Sequence, residues 1–129
     1  MRRLLSEERG STPVEFVLVG VLVTVLTLGV LQLGLAVYVR NVVHDAAVEG
    51  AYHAALADVE TSAGAARARE VVDRAVGGGF VESATATESG ALGYETVSVT
   101  LTTRLPLIGL LGIPHGWEVT VHAPAESFD

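Results

Sequence analysis

The longest uncharged stretch of the sequence limits what this chain can fold into. Residues 16–39 contain no Asp, Glu, Lys or Arg and consist mainly of valine, leucine, glycine and alanine. As an α-helix they would be roughly 36 Å long, which is enough to cross a hydrocarbon core of roughly 30 Å. A cleavable secretory signal has a shorter apolar region before a small-residue cleavage site, whereas the polar segment RNVVHD follows here. The sequence therefore predicts a retained membrane span over about residues 16–39.

The arginines around the span predict its orientation. Arg2, Arg3 and Arg9 precede the apolar stretch, whereas only Arg40 follows it before Arg67. Arginine and lysine are enriched on the cytoplasmic side of membrane spans. We therefore expect a single-pass protein in the lipid bilayer, with its amino terminus in the cytoplasm and its C-terminal domain on the extracytoplasmic side.

Composition restricts the part of the chain beyond the span. About 90 residues remain there, enough for one small domain. From residue 41 onwards the sequence has four arginines and twelve acidic residues, and this excess of negative charge would repel a polyanion. We therefore expect no nucleic-acid partner. The chain has no cysteine, which excludes disulfides and cysteine-ligated metals.

A long helix should continue past the span. Residues 39–60 contain no proline and are rich in alanine, so we predict one helix from Pro13 to about Val59, roughly 70 Å long. Small residues recur every four positions in two tracks, along which another backbone could approach closely. These helix-packing candidates are Ala46, Gly50 and Ala54 in one track, and Ala47 and Ala51 in the other. The spacing leaves open whether they face the protein's own domain or other subunits.

A second helix should follow a break at Thr61, Ser62 and Gly64. Residues 65–76 have apolar side chains three and four positions apart, and the glycines at 77–79 should end this helix. Two ion pairs four residues apart are expected on its solvated side: Glu70 with Arg74, and Arg69 with Asp73.

The remaining sequence indicates strands. Alternating apolar and polar residues predict strands over 80–89, 95–103 and 117–123, in an antiparallel sheet of three to four strands packed against a helix. The predicted fold class is therefore α+β. The expected organisation is a cytoplasmic leader peptide over residues 1–10, a long helix over residues 11–59, and an extracytoplasmic α+β domain over residues 60–129.

An apolar segment, LPLIGLLGIPHG, separates the last two predicted strands at residues 105–116. Proline and glycine interrupt it, so a loop is expected. If this loop is exposed, it would form a contact patch or dip towards lipid. If it folds under the sheet, it is part of the core. The sequence leaves both interpretations open.

No group of residues predicts catalysis. The four histidines lack a His-x-x-x-His pair, and no Gly-x-Ser-x-Gly elbow occurs. Asp45, Glu49 and His53 are four residues apart on one face of the long helix, which makes a metal site geometrically conceivable. Acids and a histidine on a solvated helix face need no such explanation. We therefore expect no enzyme activity, no cofactor and no metal.

The residues just before the span resemble the processing site of prepilins, which a prepilin peptidase cuts after a glycine on the cytoplasmic face. Gly10 precedes Ser11, Glu15 is the fifth residue after the Gly10–Ser11 bond, and Phe16 follows. An acid at the edge of a lipid-soluble helix is costly without a partner or a role. The resemblance implies that cleavage makes Ser11 the new amino terminus, which Glu15 would neutralise in the same or a neighbouring subunit.

A second interpretation of these residues requires no peptidase. Thr12-x-x-Glu15 matches a capping box, with Pro13 at the first helical position, where its missing N–H costs nothing. The two interpretations are compatible, because one acid could cap the precursor helix and pair across subunits later. Gly10 distinguishes them, since the cap does not need it.

Over roughly Arg9 to Leu56, the sequence resembles the TadE-like pseudopilins of the tight-adherence (Tad or Flp) pilus system. The residues in common are Gly10 to Phe16, the uninterrupted span, and Tyr38 to Arg40 leading into Asp45 to Ala55. The family typically has an Ala-x-Glu-Gly-Ala run beyond the membrane, which Ala47 to Ala51 match. Tyr52 departs from the basic residue that often follows that run.

This resemblance implies a pilin-like fold and cleavage after Gly10 by a dedicated prepilin peptidase. It also implies a role as a minor pseudopilin in pilus assembly or secretion at the cytoplasmic membrane. The implied partners are the peptidase, other pilin or pseudopilin subunits and the pilus assembly machinery. The alternative is an uncleaved, single-pass, membrane-anchored protein-interaction domain unrelated to pili.

Overall fold

A computed structural model of the chain describes residues 4–90, 93–106 and 112–126. Within them, the fold is α+β, as predicted, with a long apolar helix, a second helix and a three-stranded antiparallel sheet. The chain divides into two compact units, Met1–Gly34 and Leu35–Asp129, called here the N-terminal and C-terminal units. The elements are α1 (Leu4–Ala54), α2 (Thr61–Val76), β1 (Val81–Ser89), β2 (Thr96–Pro106) and β3 (Gly112–Pro124).

The N-terminal unit is helical and exposes apolar side chains. Valine and leucine side chains from Val14 to Leu33 are exposed, and the helix is long and apolar enough to cross a membrane. Thr24 and Thr27 donate their hydroxyl hydrogens to the carbonyls four residues earlier, each at 2.8 Å. This back-bonding satisfies the two hydroxyls without water, which suits a helix surrounded by lipid.

Helix α1 begins at Leu4, earlier than the predicted start at Pro13. Pro13 therefore lies inside the helix, where it has no N–H to donate to the carbonyl of residue 9. The prediction rested on the preference of proline for the first turn of a helix. The helix propensity of the leader, rich in leucine and glutamate, explains why the helix extends before the proline.

Helix α1 ends at Ala54, before the predicted end at Val59, and the tail of the chain occupies the acceptor that Val59 would need. In a continuing helix, the Ala55 carbonyl would accept the N–H of Val59. Here it accepts the N–H of Glu126 at 2.8 Å, and the N–H of Val59 bonds to Leu56 at 3.1 Å instead. A contact distant in sequence therefore replaces the hydrogen bond that would extend the helix to Val59.

Helix α2 includes the residues that were predicted to break the long helix. It begins at Thr61, so Thr61, Ser62 and Gly64 are helical, and that prediction was wrong. Gly64 is buried against α1, so this glycine permits close packing and does not end a helix. The predicted end is confirmed at Gly77, whose φ is 95° and whose N–H bonds to the Asp73 carbonyl at 3.1 Å.

The sheet is a meander in the order β1-β2-β3. Val97, Val99 and Leu101 are buried, as their alternation predicted, while Thr120 and His122 on β3 are exposed. The apolar side of the sheet contacts α2 and the C-terminal part of α1 in one cluster. The buried members of this cluster are Val39, Val43, Ala46, Ala47, Ala51, Ala54, Ala55, Ala68, Val72, Val81, Val97, Val99, Leu101 and Ala123.

Strands β2 and β3 extend into the segment that was expected to be a loop. Leu105 pairs with Ile113, and Pro106 pairs with Gly112, after a register irregularity between Thr103 and Leu105. Both ends of the predicted loop are therefore in the sheet. Its centre, residues 107–111, lies outside the described residues.

Candidate functional site along helix α1

The predicted processing site lies on the exposed surface of α1. Gly10 and Ser11 are both helical and exposed, and a Cβ added at Gly10 would meet no other atom within 4 Å. Packing therefore does not require a glycine at this position, in contrast to Gly50 further along the helix. A reason for Gly10 has to come from outside the fold of the single chain.

Glu15 and Phe16 are also exposed, and Phe16 exposes 79% of its surface. Ser11 and Glu15 are four residues apart in one helix, which puts their side chains on the same face about 5–6 Å apart at Cβ. Among the side chains that the structure describes, none forms an ion pair with Glu15. The capping-box interpretation does not fit this geometry, because Thr12 and Pro13 lie inside α1 and not at its start.

The small residues of α1 beyond the span all lie in the core of the C-terminal unit. Both tracks are buried, and the chain's own α2 approaches the first of them at Gly50 and Ala54. The residues concerned are Ala46, Gly50 and Ala54 in the first track, and Ala47 and Ala51 in the second. Of the two interpretations of these tracks, the one in which they face the protein's own domain describes the geometry.

The two helices approach each other closely at Gly50 and Gly64. A Cβ added at Gly50 would lie 2.5 Å from the Gly64 carbonyl oxygen and 2.8 Å from the Ala68 Cβ. A Cβ added at Gly64 would lie 2.5 Å from the Gly50 carbonyl oxygen. All three distances are shorter than real Cβ atoms show. The glycine of the Ala47–Ala51 motif is therefore required for α2 to dock.

The glutamate of the same motif pairs with α2 at the edge of this contact. Arg67 donates to Glu49 Oε1 through Nε at 2.8 Å and through Nη2 at 2.6 Å, and also lies 3.4 Å from Glu70. The hydrogen bonds and charge of Glu49 raise the pKa of Arg67 above its ordinary value. Sequence reasoning missed this pair, because its members are in different helices and no spacing rule connects them.

Two predictions about polar residues of α2 have different outcomes. The ion pair between Glu70 and Arg74 is confirmed. Arg69, predicted to pair with Asp73, donates instead to the carbonyl of Glu82 on β1 at 3.5 Å.

Asp45, Glu49 and His53 form no ligand cluster, and the described part of the chain contains no group of three residues that could hold a metal ion.

One polar pair on the sheet was not anticipated. Ser98 Oγ and His122 Nδ1 hydrogen-bond across β2 and β3, where the register puts the two residues opposite each other. The pairing depends on the strand register, which the sequence alone does not fix. The predicted residues of the processing, pairing and helix-packing sites, in contrast, all lie on α1.

The comparison with known protein families agrees with this concentration of sites on α1. The model of the family described as TadE-like protein matches residues 10–51. No curated protein and no solved structure matches the chain. The match begins at Gly10 and ends at Ala51, the last residue of the motif that docks α2, and it confirms the resemblance noted from the sequence. The match covers less than half of the chain, and over residues 10–51 the sequence is similar to TadE-like proteins.

Proposed function

We propose that this chain is a minor pseudopilin that a prepilin peptidase cuts after Gly10 and that acts in assembly of, or secretion by, a Tad-type pilus. The observation that carries the proposal is the extent of the TadE-like match, which starts at the glycine of the predicted processing site. In this proposal the protein is a structural subunit and not an enzyme. Its partners are the bilayer, the peptidase, other pilin or pseudopilin subunits and the assembly machinery.

Two features of α1 support cleavage after Gly10. The Gly10–Ser11 bond is exposed, so a membrane peptidase could reach it without unfolding the C-terminal unit. Pro13 removes one backbone hydrogen bond from the turn that contains this bond, and a glycine lowers helix stability by about 1 kcal/mol relative to alanine. This turn therefore opens more easily than its neighbours, which suits a protease that binds extended backbone.

Cleavage would give Glu15 its partner. The new amino group on Ser11 would be positive and one helical turn from the Glu15 carboxylate, on the same face. At the edge of a bilayer, an unpaired carboxylate is costly, so pairing with this terminus or with that of a neighbouring subunit would be favourable. The charge created by cleavage would thus mark a subunit as ready for assembly.

Subunit contacts would then come from the N-terminal unit. The small residues beyond the span are occupied by the chain's own core, whereas the valine and leucine side chains before Gly34 are exposed. Lipid and a bundle of helices are nearly equivalent surroundings for such side chains, so close packing and the Glu15 pair would supply the preference for the bundle. The expected orientation keeps the leader in the cytoplasm and the C-terminal unit outside.

The experiment that tests the proposal is intact-mass measurement of the full chain extracted from membranes of its native host. We expect the wild type to lack residues 1–10, and a Gly10→Leu variant to keep them. Gly20→Leu is the matched control, because an added side chain at Gly20 also meets no atom within 4 Å and cleavage should be normal. A wild-type mass that includes residues 1–10, with no shorter form, would favour the uncleaved membrane-anchored domain.

In the same experiment, Glu15→Ala separates cleavage from assembly. We expect normal cleavage, but a roughly ten- to hundredfold loss of the variant from assembled complexes, as for a lost hydrogen bond to a charged group. Co-purification of the variant with other pilus subunits gives the measurement. Normal co-purification would exclude a role of Glu15 in assembly.

A further inference from the structure

We propose that the outer edge of strand β1 binds an extended segment of another protein, which joins the sheet as a further strand beside helix α2. The segment carries an acidic side chain for Arg69, a basic side chain for Glu88 and a small apolar residue between them. This inference goes beyond the pilus proposal, since it concerns the C-terminal unit alone and does not depend on cleavage after Gly10.

Strand β1 has a neighbouring strand on one side only. In the order β1-β2-β3, the described residues of β1 pair with β2 and with no other strand. In the centre of such a strand, alternate backbone N–H and C=O groups point away from the sheet and are able to pair with another extended chain. With nine residues, Val81–Ser89, β1 is long enough to receive a strand of ordinary length.

The sequence of β1 does not protect this edge. Proteins commonly prevent strand addition with proline, with lysine or with a charge that points inward from the edge strand. The centre of β1, residues 83–87, reads SATAT and contains no proline and no charged residue. The edge of β1 is therefore open to an added strand over its central five residues.

The other outer strand, β3, differs in this respect. It contains Pro114 and Pro124, each of which removes one backbone donor from the strand. It also contacts helix α1, because the Arg40 guanidinium carbon lies 5.1 Å from the centroid of the Trp117 ring. Of the two outer strands, β1 is therefore the better candidate for strand addition.

A groove of about 390 Å³ lies between β1 and α2, next to the open edge. Every second side chain of an added strand would point into this groove, because side chains alternate between the two faces of a sheet. Small side chains on the groove walls leave room for them. The lining residues are Ser62, Ala65, Ala66, Arg69, Ala84, Thr85 and Ala86.

Two contacts give the direction of α2 along β1. The Thr61 hydroxyl donates to the Glu88 carboxylate near the end of β1. Arg69, two helical turns later, donates through Nη2 to the Glu82 carbonyl near the start of β1, at 3.5 Å. Helix α2 therefore runs antiparallel to β1, and the groove has a carboxylate at one end and a guanidinium at the other.

Both charges are available to a partner. Arg69 is exposed and forms no ion pair with any described carboxylate, whereas Arg67 and Arg74 on the same helix both pair with Glu70. Glu88 is exposed too, and it forms no ion pair within the described ranges. Charge complementarity therefore favours a segment with an acid at the Arg69 end and a base at the Glu88 end.

The register of the sheet gives the spacing of these two charges. Ala84, Ala86 and Glu88 lie opposite the buried residues of β2, so they share the face of the sheet that contacts α2. Arg69 lines the groove beside Ala84 and Ala86. An added strand would thus place its acid opposite Ala84 and its base opposite Glu88, four residues and about 13 Å apart.

A second copy of β1 satisfies only half of this requirement. Two β1 strands paired antiparallel would place Glu88 of one copy opposite Ala84 of the other, where it reaches Arg69. Residues 81–89, VESATATES, contain no lysine, arginine or histidine, so neither copy would supply a base for Glu88. We therefore assign the edge to a different protein.

The test uses two fluorescein-labelled peptides, TKTVTDT and TDTVTKT, with the full chain in dodecyl maltoside micelles. Each peptide places its lysine, valine and aspartate on one face of a strand. The first matches the groove when it runs antiparallel to β1, and the second when it runs parallel. By fluorescence anisotropy, we expect one peptide to bind saturably with a Kd below about 1 mM, and the other to bind at least about tenfold more weakly.

Charge reversal tests the role of Arg69 in this binding. We expect Arg69→Glu to weaken the bound peptide at least about tenfold, because an attraction becomes a repulsion. Replacing the aspartate of the peptide with lysine should restore its binding to this variant. Arg74→Glu is the matched control: it makes the same charge change on the same helix, outside the groove, and should alter the affinity less than about twofold.

A second pair of variants tests the edge itself. Ala86→Lys puts an inward-pointing charge in the groove and should weaken peptide binding at least about tenfold. Thr87→Lys adds the same side chain on the other face of β1, where binding should stay within about twofold. The urea midpoint of each variant separates loss of the site from loss of the fold, and Arg69→Glu still tests the site if Ala86→Lys does not fold.

Four results would overturn the inference. The first is the absence of saturable binding of either peptide. The second is an equal loss for Arg69→Glu and Arg74→Glu, and the third is a failure of the lysine peptide to bind Arg69→Glu. The last is a peptide-free chain that forms a dimer by light scattering, if Ala86→Lys dissociates it, because the edge would then belong to a second copy.

Discussion

The two parts of helix α1 use the same residue types in opposite surroundings. In the N-terminal unit, Leu26 is exposed, and a Cβ added at Gly34 would meet no atom within 4 Å. In the C-terminal unit, Val39 is buried, and a Cβ added at Gly50 would lie 2.5 Å from the Gly64 carbonyl. The N-terminal part of this helix thus exposes an apolar surface suited to lipid, whereas its C-terminal part is covered by the chain's own core.

The two parts therefore have different roles, although their residue composition is similar: the first contacts lipid or other helices, and the second packs the chain's own core. Leucine and valine have nearly the same free energy in lipid as in a helix bundle, so the N-terminal unit can exchange one for the other at little cost. The C-terminal part of α1 cannot exchange its surroundings in this way, because its small residues are buried in the core with α2 and the sheet. Assembly is therefore expected to use the first surface and to leave the second intact.

The largest effect should come from the core of the C-terminal unit. Leu101→Ala removes the largest fully buried side chain of the described residues, and we expect it to lower the free energy of unfolding by about 2–5 kcal/mol. Urea unfolding of the full chain in detergent micelles, followed by Trp117 emission, gives the measurement. The matched control is Leu26→Ala, which should leave this transition unchanged. Equal losses for both variants would contradict the division of α1 into two surfaces.

A somewhat smaller effect is expected at the helix contact. Gly50→Ala forces a methyl group against the Gly64 backbone, and overpacking of this kind costs about 1–3 kcal/mol. Gly34→Ala places the same methyl group on the same helix in open space, where it should be neutral or slightly stabilising. The same urea transition compares the two variants. If Gly50→Ala were as stable as Gly34→Ala, close approach would not be the reason for the glycine.

The smallest effect should come from the two glutamates of α1. Glu49 pairs with Arg67 at a partly exposed site, whereas Glu15 forms no ion pair among the described side chains. We expect Glu49→Gln to lower the urea midpoint less than Gly50→Ala does, and the loss to disappear at about 1 M salt, where exposed charges are screened. Glu15→Gln should not move the midpoint at either salt concentration. A loss that persists at high salt would indicate a packing role of Glu49 beyond its charge.

Periodicity and composition were sufficient to predict most elements of the fold. The strand alternation correctly assigned Val97, Val99 and Leu101 to the core, and the spacing of apolar residues identified the second helix. The predicted start of α1 was wrong because the leader itself favours helix, whereas the predicted break at Gly64 was wrong because a distant contact competes with local preference. Gly64 was interpreted as a helix breaker because glycine has low helix propensity, but its buried contact with Gly50 outweighs that preference.

The candidate sites divide in the same way. The residues Gly10, Ser11 and Glu15 could be selected from the sequence, because their spacing is local and their environment is the membrane edge. The ion pair between Glu49 and Arg67 could not, since its partners are brought together only when α2 folds back on α1. The alanine tracks were identified correctly as packing surfaces, but the sequence did not specify the partner that they pack against.

By itself, the sequence determined that the chain has a long apolar helix, a second helix and alternating strands. The length of an apolar run and the spacing of apolar residues are local properties, and they can be read without knowing the tertiary contacts. Only the tertiary structure decided that α1 does not reach Val59, since the Ala55 carbonyl that Val59 would need accepts the N–H of Glu126, which lies far away in sequence. It also decided which surface of α1 remains free. Burial depends on which elements meet, and local residue preference does not contain that information.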